Sequence, residues 1–160
     1  VLTVAHIRAG TTNNVIPETA HLEGTLRTLD EDVRARVRDV IRRVCRHTAL
    51  AHGCTAVVDI TPGYPVTVND DDAAARVTAL ATDVVGRSRV ATMPTPIMGA
   101  EDFSYVLQRV PGALAFLGGC PPRVDPATAA PNHSNRVVFD EAAMAIGVAV
   151  YAGLALDALR

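Results

Sequence analysis

The 160-residue chain has no tryptophan, and aromatic residues make up only 4% of it. Its core must therefore be filled by Val, Ala, Leu and Ile rather than by large rings. Lysine is also absent, so all 15 basic residues are arginine. That bias, with the excess of alanine, fits a GC-rich coding sequence and says little about partners. Cys45, Cys54 and Cys120 are odd in number and share no Cys-x-x-Cys spacing. They read as free thiols of a reducing compartment, not as a disulfide framework or a zinc knuckle. Charge of one sign is not in excess: a net −2 and a pI near 6.2 argue against a nucleic-acid-binding domain, which is expected to be basic. The longest apolar run, Ala142 to Leu156, falls short of the ~18 to 20 residues of a membrane span and reads as a buried C-terminal helix. No basic stretch followed by an apolar one opens the chain, so no signal peptide is expected and the expected location is cytoplasmic.

What is present is apolar enough to fold, with 49% hydrophobic residues and a mean hydropathy of +0.20. The length suits one domain or pieces of two smaller ones. The chain starts with Val1 directly on strand-like sequence, and so reads as a piece of something longer.

"VLTVAHIRAG" is β-branched, ends at Gly10 and reads as a strand. After the loop "TTNNVIP", Ala20, Leu22 and Leu26 alternate with His21, Glu23, Thr25 and Arg27, the pattern of a half-buried antiparallel strand. Asp30 caps a helix with Glu31 and Asp32 in its first turn, and Val33, Val37, Val40 and Val44 form its apolar stripe. The six arginines between Arg34 and His47 are nearly balanced by nearby acids and read as a solvated helix face. "CTAVVDI" (Cys54 to Ile60) is expected as a short strand, giving a helix packed on one face of an antiparallel sheet. The proline- and aspartate-rich run from Thr61 to Asp72 is the candidate domain boundary. Beyond it Asn69 or Asp70 caps a helix near Asp71 to Gly86. "SRVATM" is strand-like, "EDFSYVLQRV" is a short helix, and "GALAFLGG" (Gly112 to Gly119) is expected as a buried strand. A loop of a length at which loops tend to be functional then leads to Arg136–Phe139 and the last helix.

His133 sits in the proline-pinned loop "APNHSN", where an imidazole suits metal binding and proton transfer equally. One histidine cannot hold a metal, since zinc takes three or four ligands. His6, His21, His47 and His52 lack ligand spacing and read as structural or surface residues. In "MGAEDFSY", Glu101 and Asp102 follow Gly99 closely. They are either acids at a helix start or carboxylates on a loop that faces a pocket. Asn14 and Arg27 are ordinary in isolation, although a guanidinium can grip a carboxylate through its planar fork.

"GTTNNVIPETAHLEGTLRTLDEDVR", "PVTVNDDD", "MGAEDFSYVLQRVPGALAFLGG" and "NHSNRVVFDEAA", in that order, resemble the M20 family of metal-dependent amidohydrolases. The aminoacylase, hippurate hydrolase and indole-acetyl-amino-acid hydrolase branch is the nearest. The resemblance implies an α/β fold in two parts. Residues 1–63 would be the back half of an α+β satellite domain with an antiparallel sheet and packed helices, serving as lid and dimerisation surface. Residues 64–160 would be the C-terminal part of an α/β metallohydrolase domain. It also implies His133 as a metal ligand, Asn14 and Arg27 as substrate-binding residues, and Gly99, Glu101 and Asp102 as a loop near the site.

The family's other metal ligands and its general-base glutamate have no counterpart here, so no catalytic residue is expected within the chain. The implied cofactor is a pair of divalent metals (Zn, Mn or Co), and the implied substrate an N-acyl-amino acid cleaved by a metal-activated water. The implied assembly is a homodimer, with no nucleic-acid or membrane partner, and the chain alone is expected to be inactive. The competing reading is a non-enzymatic α+β dimerisation module.

Overall fold

A computed structural model describes residues 1–159. The described elements are β1 (Leu2–Ala9), β2 (Ala20–Leu26), α1 (Glu31–Ala51), α2 (Asp71–Val85), a 3-10 turn at Arg87–Arg89, α3 (Phe103–Leu107) and α4 (Ala143–Asp157). This mixture of helices with a small antiparallel sheet is consistent with the α/β class. The chain divides into two compact units, Val1–Val66 with Ile97–Asp102, and Thr67–Pro96 with Phe103–Arg160.

In the first unit β1 pairs antiparallel with β2, and the register carries a bulge between Val4 and His6. The sequence explains the bulge. Strict alternation would put Leu2, Val4, His6 and Arg8 on one face, mixing two apolar with two polar side chains. Ala5 is the extra residue that shifts the phase. Leu2, Val4, Ile7 and Ala9 then lie opposite Leu26, Gly24, Leu22 and Ala20, while Thr3, His6 and Arg8 lie opposite Thr25, Glu23 and His21. Gly24 is needed where the strands come closest, because a Cβ there would sit 2.5 Å from the Thr3 carbonyl oxygen.

Asp30 caps α1 by accepting the Val33 N–H at 2.7 Å, as its position before the acidic first turn predicts. The covered side of the helix differs from the expected stripe. Arg34, Val37, Arg38, Ile41 and Arg42 are half-buried, whereas Val33, Val40 and Val44 are exposed. Arg34 is the cause: its side chain is only 13% exposed. It donates to Glu31 Oε1 at 3.0 Å and to the Gly63 carbonyl at 2.8 Å, while Glu31 Oε1 accepts the Val66 N–H at 2.8 Å. The pair clips residues 63–66 to the first turn of α1, and the arginine stem covers the helix where valine was expected to. The reading of the arginine run as a solvated face therefore fails at Arg34. Ala20 and Leu22 likewise remain exposed rather than packing under the helix.

In the second unit Asp70 caps α2 through the Ala73 N–H at 2.9 Å. Here α2 packs against α4, closely enough that a Cβ on Gly153 would lie 2.7 Å from Leu80 Cδ2. The outward face of α4 is uncovered, with Met144, Val148, Tyr151 and Leu156 exposed, so the expected buried helix is covered on one side only.

The runs expected as strands at 54–60, 88–93, 112–119 and 136–139 carry no strand among the described residues. A strand is defined by its ladder, and a β-prone run without a neighbouring strand cannot form one. At 112–119 a side chain takes the neighbour's place. The Asn69 amide donates to the Leu114 carbonyl at 3.1 Å and accepts the Leu114 N–H at 2.8 Å, and the Asp70 N–H bonds the Gly112 carbonyl at 2.9 Å.

Among the described residues no aliphatic or aromatic side chain is buried apart from the ring of Pro121, and Ser104 is the one that is fully buried. The chain exposes 13094 Å². A folded monomer of this mass exposes ~7,700 Å², and two independent half-size domains together ~9,200 Å². The units thus leave open a large area that ordinary domains bury.

Candidate functional site

Five of the six residues singled out from sequence belong to the first unit: Asn14, Arg27, Gly99, Glu101 and Asp102. The sixth, His133, belongs to the second.

Arg27 follows β2 directly. Its N–H bonds the Val1 carbonyl at 2.8 Å and its own carbonyl accepts from the Val1 nitrogen at 2.7 Å, so its backbone is fixed one rung beyond the strand. Alternation places it on the polar face with His21, Glu23 and Thr25. Its guanidinium donates through Nη1 to the Met98 carbonyl at 2.6 Å, across 71 residues of sequence. Met98 immediately precedes Gly99, so this bond joins Arg27 to the loop that carries Glu101 and Asp102. Both carboxylates are exposed and lie just before α3 rather than within its first turn. Asn14 is exposed in the bend-rich run between the strands.

His133 has φ +71°, the one positive φ outside glycine among the described residues. The turn around it accounts for this geometry. The Ser134 N–H bonds the Pro131 carbonyl at 3.1 Å, which closes a four-residue turn with His133 in third place. A positive φ there is the mark of a type II turn, a position usually given to glycine or asparagine. An L side chain in the left-handed region costs roughly 1 to 2 kcal/mol. The imidazole is exposed at the tip of the loop.

A second cluster lies on the polar face of the sheet. His6 Nδ1 is 3.2 Å from Glu23 Oε2, and His21 Nε2 is 2.9 Å from Glu23 Oε1. The bonds from His21 and then His6 hold the Glu23 carboxyl below its ordinary pKa of 4.5. The sequence reading left these histidines apart. Only the bulge at Ala5 brings His6 level with Glu23, and period-two counting does not show a bulge. Met98 was missed for another reason: its backbone carbonyl is the acceptor, and no side-chain pattern marks it.

Among the described residues no three of His, Cys, Asp and Glu form a group that could hold a metal ion. His133 is one donor of the three or four that a zinc site takes, so this chain's described residues do not make a metal centre by themselves. Cys45, Cys54 and Cys120 are unpaired thiols. No described helix is long and apolar enough to cross a membrane.

A family model described as peptidase family M20/M25/M40 matches residues 3–157. Thermostable carboxypeptidase 2 of Saccharolobus solfataricus is 34% identical over 163 residues, a match covering 98% of this chain and 38% of the relative. IAA-amino acid hydrolase ILR1-like 2 of Arabidopsis thaliana is 31% identical over 166 residues, covering 100% of this chain and 36% of the relative. The crystal structure of the Bacillus subtilis YXEP protein, described as a dinuclear metal binding peptidase of the same family, superposes with a TM-score of 0.79 at 28% identity. It is covered over 42% of its length by 99% of this chain. The chain therefore spans less than half the length of the proteins it matches.

Proposed function

The chain belongs to peptidase family M20/M25/M40, and from that premise we propose that it is the C-terminal segment of a metal-dependent amidohydrolase acting on N-acyl-amino acids. The observation that carries this reading is the backbone of His133. A non-glycine residue held at φ +71° persists only where its surroundings impose it, and such strain gathers at functional sites. It falls on the residue that the motif "NHSN" marks as a metal ligand.

In this reading His133 supplies one ligand to a divalent metal pair, Zn, Mn or Co, whose other ligands lie outside the chain. Such a pair supplies Lewis acidity and an activated water for amide hydrolysis. The chain's own share is to present that imidazole, to offer Arg27 to the substrate carboxylate and Asn14 to its carbonyl, and to carry Gly99, Glu101 and Asp102 on the loop that Arg27 holds. Residues 1–63 act as lid and dimerisation surface and residues 64–160 complete the catalytic domain of a cytoplasmic enzyme. Support for a segment of a larger body comes from the exposed 13094 Å² and the uncovered face of α4.

The test is release of free amino acid from N-acetyl- and N-benzoyl-amino acids with Zn²⁺, Mn²⁺ or Co²⁺. The full natural polypeptide is expected to turn over, its His133→Ala variant to lose at least ~100-fold, and the 160-residue chain alone to be inactive. Full activity in His133→Ala sinks the proposal.

A further inference from the structure

The segment Ile97–Asp102 belongs to the first unit although the chain on both sides of it belongs to the second. Something must hold it there. The bond that does so across the greatest sequence distance is the one from Arg27 Nη1 to the Met98 carbonyl, 2.6 Å long. Its donor is well placed for the task, because the Arg27 backbone is bonded in both directions to Val1 and does not drift with the side chain. Its acceptor is a backbone group, so the bond constrains the path of the main chain at Met98 and, one peptide further on, at Gly99. Gly99 has no side chain of its own to pack the segment down.

We infer that Arg27 is a positioning residue as well as a substrate-binding one: before any substrate arrives, its guanidinium tethers Ile97–Asp102 to the sheet unit through the Met98 carbonyl. Glu101 and Asp102 are then presented from a loop whose entry point is fixed. A guanidinium has five N–H donors, and a single carbonyl occupies one, so the tether and a planar carboxylate can be served by the same group. The inference rests on the proposed site only for its meaning in catalysis. The tether itself is a property of the substrate-free protein and can be read there.

The two roles separate by substitution. A lone carbonyl accepts a hydrogen bond from an ammonium nearly as well as from a guanidinium, whereas a carboxylate loses the planar fork. Arg27→Lys should therefore keep the tether and impair carboxylate binding, and Arg27→Ala should lose both.

The experiment uses the full natural polypeptide, free of metal and substrate, with arginine and backbone ¹⁵N labels. Rotation of the Arg27 guanidinium is expected to be about tenfold slower than that of the exposed Arg46, the factor that one hydrogen bond of ordinary strength supplies. Backbone order parameters at Gly99–Asp102 should fall from about 0.85 to below about 0.6 in Arg27→Ala, stay high in Arg27→Lys, and be unchanged along α1 in both. Equal rotation rates for Arg27 and Arg46 overturn the tether, and that measurement needs no variant to fold. Unchanged order at Gly99–Asp102 in Arg27→Ala overturns it too. Failure of the carboxylate reading has a different signature: Arg27→Ala then loses activity equally on an N-acyl-amino acid and on its carboxamide, while Gly99–Asp102 still loosens. If the tether fails and the carboxylate reading stands, the loss is confined to the acid and the loop order does not change.

Discussion

Replacing His133 by glycine should make the metal-free protein more stable than replacing it by alanine, which reverses the usual order of the two residues in a loop. At an ordinary φ, glycine in place of alanine costs about 0.4 to 1 kcal/mol, because the unfolded chain gains freedom. At φ +71° the balance changes. Alanine keeps the left-handed penalty of roughly 1 to 2 kcal/mol, which glycine does not have. The difference, about 0 to 1.5 kcal/mol in favour of glycine, is measurable by urea unfolding in EDTA. Asn132 is the internal control, since it lies in the same turn with no positive φ, and Asn132→Gly should lose stability where His133→Gly does not. In the full natural polypeptide with metal restored the order changes again: the wild type, with its imidazole, should be the most stable of the three through ligand binding to the native state alone. If His133→Gly unfolds at lower urea than His133→Ala in EDTA, the strained turn is not a property of the protein.

Other outcomes follow from single contacts. Gly24→Ala should cost on the order of 1 to 3 kcal/mol in thermal or urea unfolding, because its Cβ meets the Thr3 carbonyl at 2.5 Å, whereas Gly63→Ala, with open space around it, should be neutral or slightly stabilising. The Glu23 carboxyl pKa, followed by NMR, should lie below 4.5 and rise in His21→Ala and in His6→Ala. A depressed carboxyl stabilises the fold above its unfolded pKa and loses that contribution as pH falls through its folded value. The effect of Glu23→Gln on stability should therefore fade in acid, at and below 4.5. In the full polypeptide, Arg27→Ala should lower kcat/KM on an N-acyl-amino acid by roughly 30-fold or more and act much less on the carboxamide.

Where residues act locally, the sequence was sufficient. Asp30 and Asp70 were readable as helix caps because a cap depends on one side chain and the next three residues. The alternation from Ala20 to Leu26 was readable for the same reason. The bulge at Ala5 needed the partner strand, and with it the His6–Glu23–His21 cluster stayed hidden. The clip from Glu31 and Arg34 to residues 63–66 joins helix to loop across 29 residues, and nothing in the arginine run distinguished Arg34 from its neighbours. The missing strands at 54–60 and 112–119 show that β propensity states a preference and the ladder requires a neighbour. His133 was singled out from its loop and its motif, while its backbone geometry came from a turn whose third position gave no glycine to announce it.

The amide of Asn69 has a further consequence, for chemical ageing. Deamidation of asparagine begins when the backbone nitrogen of the next residue attacks the side-chain carbonyl carbon, which requires a mobile amide and a free N–H. Asn69 has neither: its side chain is held at both ends by Leu114, and the Asp70 N–H is committed to the Gly112 carbonyl. On prolonged storage at mildly alkaline pH, peptide mass spectrometry should find isoaspartate accumulating at the Asn13–Asn14 pair in the exposed loop well before it reaches Asn69.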